Sequence, residues 1–357
     1  MPADARPRIL VTGGAGFIGS NLSDRLLGLG HRVTVYDALS RPGVVRNLDW
    51  LKARHGEALD VVVADVRDGA ALSAAAAGAE AVFHLAAQVA VTTSMVDPLE
   101  DFEVNVRATV TLLDALRRRA EPVPLVFAST NKVYGDLADV ALQLTNDAYV
   151  PADPALRATG IGEARPLDFH TPYGCSKGAA DQYVLDFARS FGVPTAVLRM
   201  SCIYGPRQMG TEDQGWVAHF AISALKGQGI SLFGDGCQVR DVLDVDDAVD
   251  AYLGCWRNID RVAGRAFNLG GGPANAISLR QLMRHIEGLT GRPFAVESHD
   301  WRPGDQRYYV SDTRRVAEAL GLRPWRPWRD GVARLVRWLA EEHGIALPAA
   351  DSARAAG

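Results

Sequence analysis

Between a short apolar run at residues 8–11 and a helical pattern at 21–29 stands Thr12-Gly13-Gly14-Ala15-Gly16-Phe17-Ile18-Gly19. No other stretch limits the fold as strongly. Strand, glycine turn and helix in direct succession open a βαβ unit. Glycines at 13, 16 and 19 let the backbone turn tightly, approach a pyrophosphate and pack helix on sheet. The phosphates would sit at the helix amino end, where free N–H groups and the dipole favour an anion. Gly13, Gly16, Phe17, Ile18 and Gly19 are therefore the first candidate cofactor residues. Because a glycine turn also occurs for purely structural reasons, the residues after it decide its meaning.

A second strand at 32–36 ends in Asp37, about two dozen residues after Gly13. An acid there accepts hydrogen bonds from the ribose 2′ and 3′ hydroxyls and repels a 2′-phosphate, so NAD is expected rather than NADP. The alternation continues through a strand at 60–64 ending in Asp65-Val66, an alanine-rich helix near 70–77, and a strand at 81–85 closing on Leu85-Ala86-Ala87. A long helix at 98–119 and a strand at 124–128 running into Ser129-Thr130 follow. This rhythm predicts an α/β fold with a parallel, doubly wound (Rossmann) sheet whose ligands lie beyond the carboxyl ends of the strands. Asp65, Val66, Leu85, Ala86, Ala87 and Ser129 at those ends are expected to line the cofactor.

In Thr171-Pro172-Tyr173-Gly174-Cys175-Ser176-Lys177 a phenol and an ammonium fall at i and i+4, on one face of a helix expected over 173–191. A lysine beside a tyrosine favours the phenolate, so Tyr173 is a candidate general base, drawn down from an ordinary pKa of about 10. The spacing alone is common and mostly structural. Its weight comes from following a glycine turn, Asp37 and a strand that ends at Thr130.

The composition narrows the partners. A chain of 357 residues, 48% apolar and 22% charged, can bury a sizeable core in one large or two modest domains. A formal charge of −4 gives no reason to expect nucleic acid or an anionic membrane. Four cysteines without a C-x-x-C pair, an amino terminus without an apolar signal core, and no apolar run of ~18 residues predict a reduced, cytoplasmic protein with no metal site. Two units are expected: an NAD-binding domain at 1–200 plus about 238–262, and a smaller carboxyl-terminal α/β substrate-binding domain at about 201–237 plus 263–347. A frayed tail is expected at 348–357. Residues 136–169, without a clear period, read as a surface flap beside the site.

The ordered set of glycine turn, Asp37, Ser129-Thr130 and Tyr173-x-x-x-Lys177 resembles the extended short-chain dehydrogenase/reductase family, in its nucleotide-sugar branch. More narrowly, Ser129-Thr130-Asn131-Lys132-Val133-Tyr134-Gly135-Asp136-Leu137, the run from Asp168 to Tyr183, and Asp213-Gln214-Gly215-Trp216-Val217 are similar to the CDP-paratose 2-epimerases, also called CDP-tyvelose 2-epimerases. The resemblance covers nearly the whole chain. It implies that Thr130 holds the reacting sugar hydroxyl, that Tyr173 is the base, and that Lys177 binds the nicotinamide ribose. It further implies a tightly held NAD that is regenerated in each cycle.

By the same resemblance Arg240 and Arg302, and less directly Arg207, are expected to grip the diphosphate of a nucleotide-sugar substrate, with Gln88 and Asn131 near the sugar. A homodimer or higher homo-oligomer is implied, through long helices including the one that carries Tyr173. Two departures from the wider family stand out. Cys202 precedes Ile203-Tyr204-Gly205-Pro206 where many 4-epimerases and dehydratases carry an asparagine, and Asn131-Lys132 replace the Asp-Glu pair of a dehydratase. The expected activity is NAD-dependent interconversion of CDP-paratose and CDP-tyvelose, or a related pair, through a 2-keto sugar. The alternatives are a 4-epimerase, another NAD-dependent enzyme acting on nucleotide sugars, and a non-catalytic dinucleotide sensor.

Overall fold

In β1 (Arg8–Thr12), Ile9 and Val11 enter one apolar cluster and Leu10 the opposite one. A strand buried on both faces belongs inside a parallel sheet covered by helices on each side. The computed structural model describes residues 7–302 and 304–348. After β1 come α1 (Phe17–Gly28), β2 (Arg32–Asp37), α2 (Val44–His55), β3 (Leu59–Val63), α3 (Gly69–Ala77) and β4 (Ala81–His84). The helix expected over 98–119 is segmented. Short α4 (Val91–Val96) and α5 (Pro98–Phe102) lead into a π turn at Glu103–Arg107 and then α6 (Ala108–Arg117). π turns inside helices concentrate at functional sites, and this one carries Asn105.

Following α6 are β5 (Leu125–Thr130), β6 (Leu142–Thr145), β7 (Ala148–Pro151), α7 (Pro154–Thr159), α8 (Thr171–Phe191) and β8 (Thr195–Met200). The chain then passes through β9 (Cys202–Tyr204), α9 (Trp216–Lys226), β10 (Ile230–Phe233), β11 (Val239–Asp244), α10 (Val245–Arg257), α11 (Ile259–Val262) and β12 (Arg265–Leu269). It ends with β13 (Ala276–Ser278), α12 (Leu279–Thr290), β14 (Val296–His299), β15 (Tyr308–Tyr309), α13 (Arg314–Leu320) and α14 (Trp328–His343). The main sheet has the order β3-β2-β1-β4-β5-β8-β12 with every pair parallel. Strand order reverses between β1 and β4. In doubly wound sheets the crevice at that reversal is where a dinucleotide lies.

The second unit is built on β13-β11-β15, with β9 beside β11, and on the pair β10-β14. Helices α9, α12 and α14 close its core through Phe220, Leu282, Ile286, Val332 and Leu335. Two boundaries differ from the sequence expectation. β11, expected with the first domain, lies in the small sheet, whereas β12, expected with the second, is the edge strand of the main sheet. Phe267 and Leu269 of β12 join the core beside Leu198, so the strand belongs with the α10–α11 crossover that precedes it.

Residues 136–169 are more ordered than a flap. β6 and β7 form an antiparallel hairpin, with Leu142 opposite Pro151, around Asn146-Asp147. Asn146 takes the left-handed conformation at φ +55° that asparagine tolerates in tight turns. The hairpin is fastened to the second unit, since the Tyr149 N–H donates to the Cys237 carbonyl and its hydroxyl reaches Asp235 at 2.5 Å. The expected tail lies, from residue 349 onward, outside the described residues. No helix among the described residues is long and apolar enough to cross a membrane.

Candidate active site

The turn from β1 into α1 has no room for a side chain at Gly13, Gly14 or Gly19. A Cβ on Gly13, at φ +68°, would lie 2.8 Å from the Ala86 nitrogen, and one on Gly19 would lie 2.0 Å from the Gly13 carbonyl oxygen. Gly16 caps α1 without any side-chain hydrogen bond, which leaves backbone N–H groups for an anion. Phe17 and Ile18 begin α1 and pack, half-buried, on the core. At the end of β2 the two Asp37 oxygens accept from the N–H groups of Ala15 (3.0 Å) and Leu39 (2.9 Å), which fixes the carboxylate beside the turn. Leu85 and Ala86 are joined across the strand reversal to Thr12, by Leu85 N–H to its carbonyl (3.1 Å) and Ala86 N–H to its hydroxyl (3.2 Å). Ala87 follows, half-buried. A glycine cradle, an uncapped helix end and an anchored acid fit a dinucleotide with a free 2′-hydroxyl.

Asp65 and Val66 contribute differently from their sequence neighbours. Arg67 donates twice to the Asp65 carboxylate, at 3.0 and 2.7 Å, and holds it below its usual range, while the Tyr36 hydroxyl donates to the Asp65 carbonyl (2.7 Å). Val66 is buried in the cluster with Tyr36 and Leu72. Both shape the wall beside the cradle through packing and backbone position.

Under the crevice runs a buried chain that sequence reading passed over. His84 Nδ1 lies 2.7 Å from the Thr12 hydroxyl and Nε2 3.0 Å from the Thr109 hydroxyl, which itself donates to the Asn105 carbonyl at 2.7 Å. His84 at the end of β4, flanked by Leu85-Ala86-Ala87, was the available signal.

At the reacting end, β5 delivers Thr130 and the first turns of α8 deliver Tyr173 and Lys177. The Tyr173 phenol is buried, and Thr130 is near enough to favour its ionised form. Its N–H donates to the Ser94 hydroxyl at 3.1 Å. The Lys132 N–H donates to Thr130 Oγ1 (3.2 Å) and so orients that hydroxyl. Lys177 is 3% exposed. Its ammonium donates to the Ala128 carbonyl (2.6 Å) and sits 4.2 Å from the centre of the Phe127 ring.

The electrostatics run opposite to the sequence expectation. Burial pushes the phenol up to about 12, against the Thr130 hydroxyl that favours the phenolate, and Asp101 adds to the rise. Burial pushes Lys177 down to about 7, opposed by Asp181 and Asp101. With its ammonium turned to Ala128, the lysine does not by itself draw the phenol toward neutrality.

Ser129 does not line the crevice. Successive strand residues face opposite ways, so when Thr130 faces the site Ser129 faces the core. Its hydroxyl donates to Asp181 (2.7 Å), which Arg199 grips with two bonds of 2.9 Å, and Arg199 donates in turn to Tyr134 (3.1 Å). Gln88, expected at the sugar, is also spent internally. Its amide donates to Asp101 (2.9 Å) and to the Ala90 carbonyl (2.8 Å), and its oxygen accepts the Ala90 N–H. Asp101 is fully buried beneath Tyr173, with one oxygen shared by Gln88 and Asn105.

The residues expected to hold a substrate come from both units. Asn131 donates to Gln306 (3.1 Å), and Gln306 donates to the Gly135 carbonyl (2.6 Å), which ties the turn after β5 to residues 304–306. Arg240, buried on β11, donates to Asp305 at 2.7 Å. Lys132 reaches the same loop, at 3.2 Å from the Gly304 carbonyl and 3.7 Å from Asp305. Arg302 stacks 3.8 Å over Phe233 and pairs with Glu212 (3.0 Å) and Asp213 (3.4 Å). Arg207 does not join this group. It stacks 4.1 Å over Trp50, near Trp338 and Glu342, while Asn47 binds both its carbonyl (3.1 Å) and that of Ala15 (3.2 Å) at the cradle. Among the described residues no group of His, Cys, Asp and Glu side chains is placed to hold a metal ion.

Comparison with known proteins agrees with this geometry. The sequence pattern of the NAD dependent epimerase/dehydratase family matches residues 9–270. A CDP-paratose 2-epimerase of Salmonella typhi is 39% identical over 338 residues, covering 93% of this chain and 98% of that protein. The crystal structure of a UDP-glucose 4-epimerase of Thermotoga maritima with UDP-glucose superposes with a TM-score of 0.80 at 30% identity, over 94% of this chain and 99% of the other. A Thermus thermophilus UDP-glucose 4-epimerase in complex with NAD superposes with a TM-score of 0.76 at 29% identity, over 93% and 98%.

Proposed function

We propose, on the premise that this chain belongs to the NAD dependent epimerase/dehydratase family, that it inverts carbon 2 of a nucleotide-linked hexose, with CDP-paratose and CDP-tyvelose as the substrate pair. The observation that carries the chemistry is the buried Tyr173 phenol set in the first turn of α8 beside Thr130, at the carboxyl end of β5. The Salmonella relative, matched along almost its entire length, supports the choice of sugar and carbon. Cys202 supports it too, since an amide donor found in many 4-epimerases is missing at that place.

In this reading NAD supplies a hydride acceptor whose positive ring favours a phenolate beside it. Lys177, one turn further along α8, would hold the nicotinamide ribose. Thr130 holds the sugar C2 oxygen while Tyr173 removes that hydroxyl's proton, and the C2 hydride leaves at the same time, so a 2-keto sugar forms. The keto sugar turns over. After the hydride has returned to the other face, Tyr173 gives the proton back to the oxygen. Arg240 and Arg302 hold the diphosphate meanwhile, a task suited to guanidinium forks.

Exposed apolar side chains at Met95, Val96, Leu99, Phe102 and Tyr183 lie on α4, α5 and α8, helices that pack on one another, and favour a homodimer through this face. The activity is tested with CDP-, UDP- and GDP-hexoses carrying deuterium at C2, followed by NMR of the product. Inversion at C2 with the deuterium retained is expected, and Tyr173→Phe should lower turnover by about 10³-fold with NAD still bound. Inversion at C4, or loss of the label to water, would refute the assignment.

A further inference from the structure

We propose that Lys132 is a substrate-binding residue: together with Arg240 it forms a two-cation clamp for the diphosphate, set beside the reacting centre, in exchange for Asp305. This deepens the nucleotide-sugar reading above and rests on it.

The placement comes from the chain itself. Lys132 stands two residues beyond Thr130, in the 3-10 turn Asn131–Tyr134, and its own N–H is fixed on the Thr130 hydroxyl. Its side chain is 22% exposed and crosses to the loop of the second unit, where the ammonium meets the Gly304 carbonyl and Asp305. Asp305 Oδ1 is shared, since the buried Arg240 donates to the same oxygen at 2.7 Å. Two cations thus converge on one carboxylate, and one positive charge is left over for an incoming dianion.

The ordinary alternative is a lysine that only ties the loop to β5. Two observations speak against it. Asn131 and Gln306 already make that tie, at 3.1 Å, from the neighbouring residues. The other member of the cluster is Cys202, whose thiol feels the charges of both Arg240 and Lys132 and whose sulfur accepts the Trp216 indole N–H at 3.2 Å. A thiol kept neutral by burial gives a phosphate little. Where many relatives would offer an amide donor, this chain offers a cation, and an ammonium with three donors meets a phosphate well.

The position also selects a carbon. In a nucleotide sugar the diphosphate is attached to C1, next to C2 and across the ring from C4. The loop gripped by Lys132 abuts Thr171, two residues before Tyr173, for a Cβ on Gly304 would lie 3.1 Å from the Thr171 methyl. A phosphate held there keeps C1 close to the base, which suits reaction at C2.

The test is calorimetric titration of the NAD-loaded protein with CDP, UDP and GDP, in wild type, Lys132→Met, Lys132→Arg and Asp305→Asn. Lys132→Met is expected to weaken binding of the preferred diphosphate by roughly 10-fold or more, with NAD content and melting temperature unchanged, while Lys132→Arg stays within about threefold. Asp305→Asn should tighten it, because the competing carboxylate is gone. Unchanged affinity in Lys132→Met overturns the clamp, and weaker binding in Asp305→Asn overturns the exchange. If the wild type takes up none of the three nucleotides, the nucleotide-sugar reading itself falls, and the clamp with it.

Discussion

At the cofactor end an added methyl on Gly13 or Gly19 would meet backbone atoms at 2.8 or 2.0 Å, whereas at the substrate end Arg240, Arg302 and Lys132 rest on carboxylates of other side chains. One end is made of main chain in a fixed register of strands. The other is made of side-chain pairs that bridge two units and that a charged ligand can re-partner. Main-chain geometry changes little under substitution, so the cofactor is common to a broad family. Ion pairs across loops are remade by single substitutions, and in the function proposed above the choice of nucleotide sugar would reside there.

Thr130 and Ser129 put that contrast to its strongest test, because adjacent residues of one strand fall on opposite sides of it. Thr130→Ala should lower kcat by about 10²-fold with NAD retained, as expected for losing a donor at the reacting oxygen. Ser129→Ala should leave kcat within about threefold and instead cost ~1 kcal/mol in urea denaturation, since Asp181 keeps both Arg199 bonds and loses only one donor. Equal losses of turnover in the two variants would place both hydroxyls in the site and contradict the alternation of side chains along β5.

A smaller effect is expected from Gly19→Ala. Its Cβ overlaps the Gly13 carbonyl, so the turn must shift, at a cost of ~1–3 kcal/mol and roughly 10- to 100-fold in NAD affinity. Affinity for the free nucleoside diphosphate should stay near that of the wild type. A variant that lost both ligands equally would show that the two ends are one mechanical unit.

The same contrast explains what the sequence made legible. Gly13, Gly16, Gly19, Asp37, Thr130, Tyr173 and Lys177 stand at spacings dictated by strands and helices, and each lies at the expected strand end, turn or helix start. The inward turn of Ser129 follows from the two-residue period of a strand and was available in principle. Gln88 was less accessible, because its partner Asp101 is brought to it by the break at Asp97 between the short helices α4 and α5. The β6–β7 hairpin escaped notice because its strands are four residues long and its turn lacks glycine. The clamp on Asp305 joins residues more than 170 positions apart through a loop, and no local pattern encodes it.

The last expected effect is a pH dependence of stability that originates at the fixed end. The Ala86 N–H donates to the Thr12 hydroxyl, whose own proton is then free for His84 Nδ1, while the Thr109 hydroxyl, spending its proton on the Asn105 carbonyl, accepts from Nε2–H. Every group is satisfied by the neutral Nε2–H tautomer. Burial, with the Lys177 charge nearby, pushes the pKa down to about 3 from its ordinary 6.5, and a second proton on Nδ1 would also face the Thr12 hydroxyl proton. Since the folded value lies below the unfolded one, the unfolded chain binds the extra proton first. Stability is therefore full above about pH 6.5 and declines as the pH falls toward 3, with ~1.4 kcal/mol lost by about pH 5.5. His84→Gln, less stable at about pH 7.5, should lose that much less than the wild type between the two pH values in urea denaturation. An identical loss in both proteins would mean that His84 takes up its proton in the folded state, and that the floor of the cofactor end is less rigid than its hydrogen bonds imply.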